Sequence, residues 1–198
     1  MNHNIPVHRE GSPQGAERSA AEPVLKETIY ETTRYNIETG QAFANFVAAF
    51  ESAVPEFTMA QVDGVTDWEG IVSSFAAHAP YGFQHYFKQR PSDAMGISGV
   101  GRDNALSVSY WMGNHTIAEQ MYRHDPGVML YAPLRVLIYE SEEGNAIISF
   151  GKPSDQFGSF DNLDVAKVGE LLDEKVAGLL DGLDVAVPVG LTNRPVEN

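Results

Sequence analysis

No cysteine occurs among the 198 residues. That excludes disulfides, cysteine-ligated iron–sulfur clusters, thiolate zinc sites and cysteine nucleophiles together, and it fits the reducing cytoplasm expected as the location. Positive charge is scarce. Thirteen Lys and Arg stand against 27 Asp and Glu, a formal net charge of −14, and no Lys or Arg falls between Arg34 and Lys88. Nucleic acid and anionic membranes are bound by clustered Lys and Arg that neutralise phosphates, so neither is an expected partner. No apolar run approaches the ~18 residues of a membrane-spanning helix. The segment before Pro23 lacks the apolar stretch of a secretory signal. Walker A, H-E-x-x-H and EF-hand patterns are missing as well. Gly96, Gly99 and Gly101 are spaced G-x-x-G-x-G, which is neither a dinucleotide fingerprint nor a nucleophile elbow, and read as a flexible loop or lid.

What is present is enough for a core: 43% of residues are hydrophobic. The length suits a single domain. Residues 1–25 hold little that can be buried and are expected to form a flexible tail, as are residues 187–198. Between them, 26–186 reads as one domain. Alternation from Lys26 to Tyr35 predicts a strand. Phe43, Phe46, Val47, Phe50 and Val54 recur at helical steps after Thr39, the expected N-cap, and Pro55 ends that helix. Phe57 to Val62 predicts a second strand. Residues 63–103 read as an inserted segment rich in aromatics and histidine. It holds one short helix around Trp68, Ile71, Val72 and Phe75, and is then broken by Pro80 and Gly82. Strands follow at Leu106–Met112, Pro133–Glu140 and Ala146–Phe150, the last two as a hairpin. A short helix begins near Thr116 with capping-box spacing to Glu119. Val165, Val168, Leu172, Val176, Leu179 and Leu183 form a long helical stripe, capped by Asp161 or Asn162. The order β-α-β-(insert)-β-α-β-β-α predicts an α+β fold, an antiparallel-rich sheet with helices packed on one face.

From Trp111 onward the chain resembles a known family. Gly113-Asn114 ends a strand before a short helix. Leu130-Tyr131-Ala132-Pro133-Leu134-Arg135-Val136-Leu137-Ile138-Tyr139-Glu140 follows, and after a glycine turn comes Ser149-Phe150-Gly151-Lys152-Pro153-Ser154. This run is similar to the bacterial and archaeal domain-of-unknown-function family 302, over roughly residues 28–185. The resemblance implies a small α+β domain, often a homodimer, and implies no reaction. The chain departs from the family pattern at His115, where proline often follows Gly-Asn, and in the length of 63–103. A special function is expected at those departures.

Two histidines lie in the aromatic segment. His78 and His85 are seven residues apart, which on one helix is ~10 Å along the axis, too far to share a metal ion. Either is instead a candidate axial ligand for haem, with Tyr81, Phe83, Tyr86 and Phe87 as walls for a flat cofactor. The competing reading packs these aromatics structurally and leaves both histidines half exposed. His85 is the favoured of the two, because Phe83, Tyr86 and Phe87 enclose it. Asn114 and His115 sit between a strand end and a helix start, where His115 is a candidate acid or base beside Asn114. Plain capping by Asn114 competes with that role. Arg135, the lone charge in an apolar strand, is a candidate for binding a ligand anion or for an ion pair. Trp111 and Tyr122 complete the candidate ligand-binding set. The expected function is binding of a small apolar or aromatic molecule, with or without chemistry on it, in a pocket between the sheet and residues 63–103. A haem-dependent enzyme and a non-catalytic homodimeric interaction module are the alternatives.

Overall fold

The computed structural model describes residues 22–99 and 105–192. Five strands form one antiparallel sheet: β1 (Arg34–Ala42), β2 (Gln84–Gln89), β3 (Ser107–Gly113), β4 (Leu134–Glu140) and β5 (Asn145–Gly151), in the spatial order β1-β5-β4-β3-β2. The helices are α1 (Phe43–Ala53), α2 (Trp68–His78), α3 (Pro91–Ile97), α4 (His115–Tyr122), α5 (Pro153–Gly158) and α6 (Leu163–Gly182). The expected α+β fold stands. On one sheet face Val108, Tyr110 and Met112 of β3, Val136 and Ile138 of β4, and Ile148 and Phe150 of β5 are buried in a single cluster with side chains of α1, α4 and α6. The opposite face leaves Phe87, Trp111 and Leu137 exposed. Strand alternation thus separates a helix-covered face from an open one.

The first strand starts later than its alternation suggests. It runs from Arg34, not Lys26, because its partner β5 ends opposite it at Gly151 and Pro153 turns that chain into α5. Residues ahead of Arg34 have no strand to pair with and are held by isolated bonds: Lys152 N–H to the Thr33 carbonyl at 2.8 Å, Thr33 N–H to Asp155 Oδ2 at 2.7 Å, and Tyr30 hydroxyl to Tyr131 hydroxyl at 2.7 Å. Thr39 is not a helix cap. It lies within β1 and donates to the Ala146 carbonyl at 2.9 Å, while α1 begins at Phe43, whose N–H bonds to Gly144. Phe46 and Phe50 of α1 are fully buried, as the helical stripe requires.

The second strand is also displaced. Glu56, just ahead of Phe57–Val62, makes a single parallel bridge to His85, and Met59–Val62 is a 3-10 turn. The strand comes from Gln84–Gln89, inside the stretch read as an insert, and forms the sheet edge beside β3. Gln84–Gln89 of the expected insert is therefore a strand of the sheet, and Phe75 of α2 is buried, while α3 buries no side chain; the end of the expected insert, 100–103, lies outside the described residues. The expected N-terminal tail lies mostly outside them too. In the expected C-terminal tail, Leu191 is buried. Asn162 caps α6 by accepting from the Asp164 and Val165 amides. Among the described residues no helix is long and apolar enough to cross a membrane.

Candidate functional site

β2 and β3 do not pair evenly. His85 faces Met112 and Phe87 faces Trp111, so Tyr86 is an extra residue opposite none. Such a bulge re-aims a side chain. Here it carries the Tyr86 ring over the first residue of α4, where the phenol lies 2.8 Å from Nδ1 of His115. The two rings meet edge to face at 4.9 Å. Phe57 and Phe75 pack against the same imidazole at 5.5 and 5.3 Å, and stack on each other. His115 is thus open to solvent on one side and lies against three aromatic rings on the other.

That packing sets the charge states. Burial holds His115 below the ordinary imidazole pKa. Burial pushes the Tyr86 phenol far above its usual range. Both groups are neutral near pH 7. The phenol and Nδ1 share one proton; where the phenol donates it, the ring proton of His115 is on Nε2, because a neutral imidazole has one donor and one acceptor.

Asn114 builds the corner beneath the pair. Its Oδ1 accepts from the Thr116 amide at 2.8 Å and the Thr116 hydroxyl at 2.7 Å, and its Nδ2 donates to the Gly82 carbonyl at 3.0 Å. One side chain caps α4 and ties the β3–α4 junction to the loop entering β2. Beside this corner lies a cleft of about 250 Å³ bounded by Tyr86, Gly113, Asn114, His115, Ala118, Met129, Ala132 and Pro133. A void of about 20 Å³ beneath it shares Gly113, Asn114, Ala118, Ala132 and Pro133 and reaches Phe157 and Leu172. Apart from His115, Asn114 and the Tyr86 hydroxyl, the cleft side chains are apolar.

Of the residues singled out in the sequence, Tyr86, Asn114 and His115 come together at this cleft. The others do not. His85 is buried, with Nδ1 2.7 Å from the Val54 carbonyl at the end of α1 and its ring edge-on to Tyr110. It closes a helix end and faces the core. His78 is exposed at the last residue of α2, bonded to the Ser74 carbonyl four residues back. Phe83 has no exposed surface and Tyr81 packs on the core. Phe87 lies on the open sheet face against Trp111 at 5.2 Å, and the Arg135 guanidinium stands over Trp111 at 5.2 Å. Arg135 is exposed, so it needs no buried carboxylate. Tyr122 is half exposed at the end of α4. Tyr81, Phe83, Tyr86 and Phe87 point to different surroundings and form no common wall for a flat cofactor between them. Among the described residues no group of three or more His, Asp or Glu is placed to hold a metal ion.

Gly113, Ala118, Met129, Ala132 and Pro133 carried no signal as site residues, since small and apolar positions from three separate segments meet only in the fold. Phe57 and Phe75 read as a strand end and a helix core. Their part in depressing the His115 pKa depends on a contact across 40 or more residues of chain.

The profile of the family described as "Domain of unknown function DUF302" matches residues 79–183, just over half of the chain. No functionally curated protein matches. Among solved structures, the crystal structure of an uncharacterized conserved protein DUF302 from Bacillus stearothermophilus is similar, with a TM-score of 0.55. The two share 12% identity over 76% of this chain and 97% of the other. At that identity the likeness concerns the fold.

Proposed function

The chain belongs to the DUF302 family, whose function is unknown, and from that premise we propose that it binds a small, largely apolar molecule in the cleft between Tyr86, the β3–α4 corner and the loop through Pro133. The observation that carries this reading is the neutral Tyr86–His115 pair at the rim of an otherwise apolar cleft. Binding sites of this kind combine apolar walls with a few placed polar groups. The volume, about 250 Å³, lies under the ~300–1,000 Å³ of sites for drug-sized ligands, so the ligand is small. His115, held neutral, offers a hydrogen bond near neutral pH without the cost of stripping water from a charge. The same pair suits proton transfer to or from a bound molecule, which is the catalytic form of the reading. Composition supports a cytoplasmic location and no nucleic-acid partner: no cysteine, and a net charge of −14.

The test is a screen of small apolar and aromatic compounds by amide shift mapping on labelled protein. The expected result is shifts centred on Gly113, His115 and Ala118 that vanish in Ala118→Trp, which fills the cleft. If no compound moves these amides, or if Ala118→Trp leaves the shifts in place, the reading is wrong.

The open sheet face favours a second reading, a homodimer joined there. Phe87, Trp111 and Leu137 are exposed on it beside the Arg135 cation. A two-fold contact of the same patch on both copies would cover it. Sedimentation should then show a dimer that Leu137→Asp dissociates; a monomer at high concentration removes this reading.

A further inference from the structure

Most hydrogen-bonding groups around the cleft are engaged within the protein. Asn114 Oδ1 takes the Thr116 amide and hydroxyl, and the Asn114 carbonyl takes the amides of Ile117 at 3.2 Å and Ala118 at 2.9 Å. Helix N-termini often bind anions through such amides, but these ones already have acceptors. One N–H of Asn114 Nδ2 goes to the Gly82 carbonyl, and the Tyr86 hydroxyl is paired with Nδ1 of His115. What remains is Nε2 of His115 and the second N–H of Asn114. Counter-charge is missing too. Among the described residues, none of those lining the cleft is Lys, Arg, Asp or Glu. Lys175 comes near the corner, with Nζ 3.0 Å from a Cβ built at Gly82, and is not a cleft residue. The net charge of −14 adds a long-range repulsion for anions.

We propose that this cleft takes an uncharged molecule with one polar group, of the amide or alcohol class, and excludes the carboxylate and the ammonium ion of the same skeleton. The inference rests on the cleft being a ligand site, and adds the charge class of the ligand. An ion moved from water against Ala118, Met129, Ala132 and Pro133 gives up hydration and finds no opposite charge there. A neutral amide or hydroxyl gives up far less and needs a single hydrogen bond, which Nε2 of His115 supplies at the rim. An amide carries both a donor and an acceptor, so it suits either tautomer of that ring. Attraction to an aromatic face is the compensation open to an ammonium ion. The Tyr86 ring already packs on Phe57 and His115, which leaves less of it for that contact.

Isobutyramide, isobutyrate and isobutylammonium are the matched probes, sharing one branched carbon skeleton and differing in charge. They are titrated into the full chain near neutral pH at about 0.15 M salt, which screens the general field of the surface. Isobutyramide should move the Gly113, His115 and Ala118 amides. Each ion should bind about tenfold or more weaker at these amides, since it leaves water without a partner. Ala118→Lys adds a cation to the cleft and should raise isobutyrate affinity to that of the amide or above. The wild-type comparison stands even if that variant is unstable. Binding of either ion as tight as that of isobutyramide at the wild-type cleft overturns the charge class and leaves the ligand site intact. A folded Ala118→Lys that binds isobutyrate no better than the wild type overturns it as well. If none of the three probes moves these amides, the ligand site itself fails and the charge class with it.

Discussion

His115 and His85 show how one residue type takes opposite roles through its surroundings. His85 has its Nδ1 committed to the Val54 carbonyl and only 6% of its surface exposed. Replacing it by Ala opens a cavity and leaves the end of α1 without that partner. The expected loss is about 2–4 kcal/mol by chemical denaturation, from packing and hydrogen-bond terms together, with ligand shifts at the cleft unchanged. A half-exposed His85, as the sequence suggests, would lose under 1 kcal/mol or so. His115 makes a different prediction. Burial holds its pKa in the folded chain below the ordinary imidazole value of 6.5. Below 6.5 the unfolded chain takes up the proton first, so acidification favours unfolding. The His115 contribution is complete above pH 6.5 and is lost as pH falls toward the folded-state pKa. Stability measured from pH 7.5 downward should fall less steeply in His115→Gln than in the wild type. Equal slopes would mean that the imidazole is not packed as described.

At the scale of elements, the site is held by an edge strand and a lightly anchored helix. Phe75 is the one buried side chain of α2, whereas β3 buries Val108, Tyr110 and Met112. Elements with few buried apolar contacts open at lower free energy. Amides of Trp68–His78 should exchange faster than those of Ser107–Gly113, and Phe75→Ala should widen the gap while raising the His115 pKa toward its ordinary value. Protection of α2 equal to that of β3 would contradict this. The same elements show where sequence reading reached and stopped. The α1 and α6 stripes, β3 and the β4–β5 hairpin were legible, since each rests on periodicity within a few residues; α4 begins at His115 under the Asn114 cap, one residue before the expected Thr116–Glu119 capping box, because Asn114 Oδ1 takes the Thr116 amide. β2 was not. Gln84 to Gln89 is polar along much of its length, with Lys88 and Gln89 at an exposed edge, so alternation is weak. Its pairing is set by β3, twenty or more residues on. The bulge that aims Tyr86 is a property of that pairing and leaves no local pattern. Tyr86, Asn114 and His115 were therefore recognisable one by one, while their meeting was not.

Across the whole molecule, the sheet divides two surfaces. Its helix-covered side ends at the cleft beside α4, and its open side carries Trp111 under Arg135. Trp68 is half exposed on α2 and is not among the cleft residues. A small ligand in the cleft should leave tryptophan emission within a few per cent of its free value even when amide shifts saturate, while association through the open face should change it. A large emission change on ligand binding would place the ligand on the sheet instead. The account turns on one neutral imidazole, oriented by one phenol, at the rim of an apolar cleft. Long-range nitrogen–proton spectra of the His115 ring, recorded across pH with and without isobutyramide, test it most directly. The prediction is a single tautomer protonated on Nε2, titrating below 6.5, with an Nε2 signal that moves when isobutyramide is added. A ring that titrates at its ordinary value as a mixture of tautomers, and does not respond to isobutyramide, would contradict the account.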